Sequence, residues 1–294
     1  MKTLRTPDER FAGLPGYDFA PQYFEHAGCR VHFVDEGPRD AEVTALCLHG
    51  NPSWSYLYRH MIPVFTGAGL RVVATDLIGF GRSDKPADEA AHGFDFHRGM
   101  LLDFVERMDL RNVMLVVQDW GGIFGLTLPM AAPQRYSRLL VMNTGLGTGQ
   151  VTEGFRQWRA YSNSQPDLAV GKLIARGKRD MTPAEAAAYD APFPDASYKA
   201  ALRAFPNLVP DGLDAPGAAI SREATAFWRE RWSGDSFMAV GMLDPVLGPP
   251  AMLSLRKLIR NCPPPLEVAE GGHFVQEWGA PIAAAALQRF GLSA

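Results

Sequence analysis

The sequence predicts an α/β fold: a mostly parallel open sheet flanked by helices, with a helical cap inserted into it. Three observations lead there. Short apolar runs recur too far apart for hairpins, and the stretches between them have helical spacing. Several of these runs end in a polar residue, which is where chemistry collects in open α/β sheets. From Gly147 to Arg222 the strand-like runs stop, and aromatics, Pro, Ala and charge take over.

Residues 1–28 read as an irregular lead-in. Arg30 to Asp35 alternates enough for a strand, closed by the turn Glu36-Gly37-Pro38. Thr44 to Leu48 is a second strand, broken by His49-Gly50-Asn51-Pro52, and helical spacing resumes from Trp54 to Phe65. Arg71 to Thr75 is a third strand ending at Asp76, and Gly79 to Pro86 is loop. His97 to Met108 is an amphipathic helix with Phe96, Met100, Leu101, Phe104 and Met108 on one stripe. Val113 to Val117 is a strand, Ile123 to Met130 a buried helix, and Arg138 to Met142 a strand ending at Asn143. Within the insertion, Thr182-Pro183-Ala184-Glu185 has an N-cap, Pro at N1 and Glu at N3. Strands return at Phe237 to Gly241 and Leu266 to Ala269, and Ile282 to Leu287 belongs to a C-terminal helix. The expected division is a core of residues 1–146 and 223–294 and a cap of 147–222.

The chain has 294 residues, 47% of them hydrophobic, enough for a sizeable core. A net charge of -3 without a basic cluster argues against nucleic acid as a partner. Cys29, Cys47 and Cys262 are odd in number and scattered, with neither metal-ligand nor disulfide spacing. No apolar run is long enough to span a membrane, and Met1 to Phe11 has no apolar signal core. The expectation is a cytoplasmic protein with no membrane partner.

One stretch organises the rest: Val116-Val117-Gln118-Asp119-Trp120-Gly121-Gly122. Strand, sharp turn and helix are the setting of a nucleophile elbow, and Asp119 stands where Ser usually does. A carboxylate is a competent nucleophile and forms an ester. Read alone, Asp119 fits equally well as a helix cap. Further on, Asp244 follows the strand ending at Gly241, and His273 follows the one ending at Ala269. Nucleophile, acid and base in the order Asp119, Asp244, His273 is the order of an α/β-hydrolase triad. A carboxylate attacking an sp3 carbon needs no base, because it is ionised near pH 7. The base is needed afterwards, when water must hydrolyse the ester, and His273 suits that step. Asp244 would orient the imidazole, and the N–H groups of Asn51 and Trp120 would hold the oxyanion. The Trp120 indole donates and cannot accept, which suits a departing anion in a dry pocket.

These residues carry a resemblance. Asp119-Trp120-Gly121-Gly122, His49 to Arg59, Gly79 to Pro86, Phe237 to Pro249 and Gly271 to Glu277 resemble the haloalkane dehalogenases of the α/β-hydrolase superfamily, over nearly the whole chain. The resemblance implies the α/β-hydrolase fold and hydrolysis of small haloalkanes to alcohol, halide and proton. Water is the second substrate, and no metal or organic cofactor is required. It points to the subfamily whose acid follows the post-cap strand, here Asp244; the other large subfamily has Glu at Asn143. In that subfamily two indoles hold the halide, which assigns Trp120 and Trp158, with Phe155 lining the pocket. Ile123 and Val246 are expected to line it too. One departure is Asn51, where the best-known member has Glu; its side-chain amide is a candidate third halide donor. The stretch between Asn143 and Phe155 is also shorter than in that member.

Two other readings compete. An epoxide hydrolase would use the same nucleophile with acids drawn from Tyr161, Tyr189 and Tyr198. A non-catalytic binding protein would normally lack a triad member, and all three are present here.

Overall fold

In the computed structural model, which describes residues 2–292, eight strands form one sheet. They are β1 (Gln22–His26), β2 (Cys29–Glu36), β3 (Thr44–Leu48), β4 (Arg71–Thr75), β5 (Val113–Gln118), β6 (Tyr136–Met142), β7 (Asp235–Gly241) and β8 (Leu266–Val268). Their spatial order is β8-β7-β6-β5-β3-β4-β2-β1. From β8 to β4 every pairing is parallel; β2 runs antiparallel to β4, and β1 antiparallel to β2. Both β3 and β5 are buried along their whole length, as strands covered on two faces must be.

The lead-in is not irregular throughout. Gln22–His26 pairs with Cys29–Phe33 as an edge hairpin. Its turn places Ala27 and Gly28 both at positive φ, the geometry of a two-residue hairpin. Ala is a poor marker for that geometry, and an edge strand of half-buried residues shows no apolar run. Thr3–Leu4 also pairs with Lys85–Pro86, inside the expected loop.

The helices are α1 (Ile62–Gly67), α2 (Phe94–Arg107), α3 (Trp120–Gly125), α4 (Glu153–Asn163), α5 (Val170–Ala175), α6 (Pro183–Asp190), α7 (Ala200–Leu208), α8 (Ala218–Ala226), α9 (Pro249–Leu258) and α10 (Gly279–Phe290). The helical spacing from Trp54 resolves into a 3-10 turn, Ser55–Tyr58, followed by α1. The helix expected from Ile123 to Met130 instead starts at Trp120 and ends at Gly125. Pro129 opposes a longer helix, because it has no N–H to give the Gly125 carbonyl. The capping box on Thr182 and Glu185 forms, with both reciprocal bonds. Helices α4 to α8 connect β6 to β7 with no strand among them, and residue 222 falls inside α8.

Register positions the site. Leu48 pairs with both Thr75 and Val117, Gln118 with Met142, Met142 with Ala239, and Gly241 with Val268. The carboxyl ends of six parallel strands therefore lie side by side. His49, Asp76, Asp119, Asn143, Asp244 and His273 all come from segments that leave this edge.

The insertion is fastened to the core at its α6 end. Trp54 Nε1 donates to Ala188 O (3.2 Å), Arg10 Nε to Ala191 O (2.7 Å) and Thr6 Oγ1 to Pro192 O (2.6 Å). Beneath these, Arg59 makes two 2.7 Å bonds to the carboxylate of Glu277, and Tyr189 of α6 donates to the same carboxylate. Arg59 and Glu277 are both buried. Removing one partner of such a pair strands the other charge away from water. Arg59→Met is therefore expected to lower stability by about 3–5 kcal/mol in urea unfolding; a loss under ~1 kcal/mol would mean that Glu277 is solvated or neutral.

Candidate active site

Asp119 lies at the tip of β5 with φ 49° and ψ -125°, a strained conformation for a non-glycine residue. That bend turns its carboxylate out of the sheet edge instead of along the chain. It requires close packing on both sides. A Cβ at Gly121 would overlap the Leu48 carbonyl, so helix and strand approach only because that residue is glycine. A Cβ at Gly50 would overlap the Asp119 side chain in the same way. Thr144 Oγ1 donates to the Asp119 carbonyl at 2.6 Å and holds the bend from the β6 side.

The Asp119 carboxylate has two different oxygens. Oδ1 accepts the main-chain N–H of Asn51 at 2.8 Å. Oδ2 lies 3.4 Å from His273 Nε2. The Trp120 N–H opens α3, and the first N–H groups of a helix have no partner within it.

His273 Nδ1 is 2.8 Å from Asp244 Oδ2. Asp244 is buried, and each of its oxygens is held. Oδ1 accepts from Val246 N (2.8 Å) and Leu247 N (3.1 Å), and Oδ2 accepts from Asn143 Nδ2 (2.9 Å). Burial would raise its pKa, but His273 and these donors outweigh that and hold its carboxyl below the usual range. Burial likewise disfavours the His273 imidazolium. The charge of Asp244, with hydrogen bonds to Asp119 and Asp244, reverses this and raises the imidazole to about 10.

The carboxylate faces a cavity of about 520 Å³. The expected pocket residues all line it: Asn51, Trp120, Ile123, Phe155, Trp158 and Val246. Trp120 is buried against Phe124 and Phe205, with ring centroids 4.8 and 4.9 Å away. Trp158 lies on α4, half-buried, with Tyr161 beside it. Tyr161, Tyr189 and Tyr198 do not line the cavity. Among the described residues, no three His, Cys, Asp or Glu side chains stand together as a metal ion would need, and no helix is long and apolar enough to cross a membrane.

Several residues that touch this machinery are not singled out by sequence pattern. Gln118 Nε2 lies 3.0 Å from His273 Nε2 and 3.1 Å from His273 O. Thr144 holds the elbow, and Phe205 backs Trp120. A polar side chain ending an otherwise apolar strand was the available signal for Gln118. Nothing local marks Phe205, which comes from α7, far along the chain.

Known proteins share this fold over nearly the whole chain. The family model for the alpha/beta hydrolase fold matches residues 45–280. A haloalkane dehalogenase of Psychrobacter cryohalolentis is 44% identical over 289 residues, covering 94% of each chain. One from Mycobacterium marinum is 42% identical, over 96% of this chain and 97% of that one. The chain belongs to the haloalkane dehalogenase family. Among solved structures, the tetrameric haloalkane dehalogenase DpaA from Paraglaciecola agarilytica NO2 is similar at 47% identity and a TM-score of 0.96, covering 98% of both chains. Haloalkane dehalogenase DatA from Agrobacterium tumefaciens C58 is similar at 25% identity and a TM-score of 0.75.

The charge arrangement predicts a titration. In the resting protein the His273 imidazole is expected to titrate near 10. Asp244→Asn leaves Asp119 as its only neighbouring carboxylate, with burial acting against it, so the midpoint should fall by roughly one to three pH units. Nitrogen-15 NMR of histidine side chains reads this directly. An unmoved midpoint would show that Asp244 does not set the imidazole's charge.

Proposed function

We propose that this chain cleaves carbon–halogen bonds of small haloalkanes with water, giving alcohol, halide and a proton. We place it in the subfamily with the acid after the post-cap strand and two indoles on the halide. One observation carries the proposal: a single carboxylate has one oxygen bound by a main-chain N–H and the other facing an imidazole, at the wall of a cavity lined by both Trp120 and Trp158.

In the first step Asp119 Oδ2 attacks the carbon bearing the halogen. The carbon–halogen bond breaks, and its electron pair leaves with the halide between the indole N–H groups of Trp120 and Trp158. An anion leaving into an apolar pocket without donors would be costly, and indole hydrogens reduce that cost. In the second step His273 Nε2 takes a proton from water as the water oxygen attacks Asp119 Cγ. The developing oxyanion is Oδ1, already bonded to the Asn51 N–H, with the Trp120 N–H as the second expected donor. Collapse breaks the bond from Cγ to the alkyl oxygen, and the alcohol leaves with the proton from His273. The carboxylic acid left on Asp119 then gives its proton to His273, which restores the resting carboxylate and imidazolium; the product proton is the one His273 lost to solvent after the ester formed.

The electrostatics fit this order. Two carboxylates keep His273 protonated at rest. Ester formation removes the charge of Asp119, so the imidazole's pKa falls just when a base is needed. An epoxide reading is less well supported. Ring opening needs an acid at the leaving oxygen, and Tyr189 is engaged with Glu277 and Arg59 instead of the cavity.

The decisive test is to incubate His273→Phe with 1,2-dibromoethane and weigh the protein. A bromoethyl adduct on Asp119 is expected, with one bromide released per chain. No adduct would remove Asp119 as nucleophile, and diol formation from styrene oxide by the parent enzyme would favour the epoxide reading. A second experiment follows bromide binding by quenching of tryptophan emission. Trp158→Phe is expected to weaken binding about tenfold, the value of roughly one charge-assisted hydrogen bond. Asn51→Ala should weaken it as well if the amide is a third donor; unchanged affinity would restrict the site to the two indoles.

A further inference from the structure

Gln118 precedes the nucleophile on β5 and is fully buried. Its Nε2 lies between two atoms of one residue, 3.1 Å from His273 O and 3.0 Å from His273 Nε2. The amide has two hydrogens, and this geometry uses both. The carbonyl oxygen of His273 can only accept, so it fixes which end of the amide faces the histidine. Turning the amide over would set Oε1 against that carbonyl, oxygen to oxygen. The second N–H is therefore aimed at Nε2, and it finds an acceptor there only when that nitrogen carries no proton. Meanwhile Gln118 Oε1 is buried with no partner. An acceptor left unpaired in the interior is a cost, and such a cost kept beside a reactive group points to a use.

We propose that Gln118 is a positioning residue that favours the neutral form of His273 once Asp119 is esterified, with the proton on Nδ1 toward Asp244 and Nε2 accepting the Gln118 N–H until it takes a proton from water. This rests on the reading of His273 as base and Asp119 as nucleophile. The Gln118 N–H stabilises the base before it takes a proton and opposes the imidazolium afterwards. It thereby works against Asp119 and Asp244, the two carboxylates facing the ring. Arg176 of the cap lines the same cavity and bonds to the Tyr161 hydroxyl at 3.4 Å. The effect matters most in the alkyl-enzyme. There Asp119 is an uncharged ester, and only Asp244 and Gln118 compete over the imidazole. Proton return to the leaving alcohol is favoured by the same opposition.

The test separates the two half-reactions. Parent enzyme and Gln118→Met are mixed with 1,2-dibromoethane, quenched on the millisecond scale and weighed, between pH 6 and 10. Met has similar length and cannot donate. Adduct should form on Asp119 at a similar rate in both. Its hydrolysis should reach half-maximum about one pH unit higher in Gln118→Met, with about tenfold slower turnover of the adduct at pH 7 and recovery at pH 10. Gln118→Glu, an acceptor that favours the imidazolium, should move the midpoint higher still. If Gln118→Met does not fold, Gln118→Glu alone decides by the same shift. An unmoved midpoint, or a loss equal at every pH, would overturn the proposal while leaving the nucleophile in place. Absence of any adduct on Asp119 in the parent would overturn the underlying reading, and this one with it.

Discussion

The site depends on one backbone constraint, the left-handed turn of Asp119 at the end of β5. A residue with a side chain pays for that conformation with strain of about 1–3 kcal/mol. What over-determines it is packing without slack. Gly121 lies against the Leu48 carbonyl, Gly50 against the carboxylate, and Thr144 holds the Asp119 carbonyl. These contacts come from the ends of β3 and β6, so the bend is a property of the sheet's register. A shift of one residue between β3 and β5 would take the Asn51 N–H away from the carboxylate.

The same edge concentrates charge that would be unstable elsewhere. Asp244 is buried, yet main-chain N–H groups and Asn143 hold it as a carboxylate. Four strands further along the sheet, Asp76 is fully buried and accepts from His32 Nδ1 (2.7 Å), Ser55 N (2.8 Å) and Arg82 N (2.8 Å). This second carboxylate does not line the cavity. It organises the loops after β3 and β4, which in turn place Asn51. Aligned strand ends thus support two kinds of buried acid: one that structures the loops and one coupled to a titrating ring.

How much of this was legible in the residues follows from range. Parallel strands such as Thr44–Leu48 and Arg71–Thr75 are continuous apolar runs, because both faces are covered, and their limits can be read directly. Asp119, Asp244 and His273 stand out because each follows such a run. The hairpin at Gln22–His26 was not legible: an edge strand carries no apolar run, and Ala27 takes a conformation that Ala seldom signals. Gln118 was passed over because a strand's last residue usually caps or solvates. Its role emerges only when a loop from the far end of the chain folds over it. Phe205 against Trp120 is likewise a contact between distant segments, which local pattern does not encode.

The attachment of the insertion is uneven. At α6, bonds from Thr6, Arg10, Trp54 and Arg59 tie it to the core, those from Thr6 and Trp54 buried. At α4, which carries Phe155 and Trp158, only Ser162 is buried along the whole helix. Few buried contacts mean a low local free energy of opening. In the proposed halide cradle, one indole is therefore anchored in the interior and the other rides on the loosest wall. Escape of the spent ion then needs only that outer wall to give way, while the hydrolytic machinery below keeps its shape from one turnover to the next.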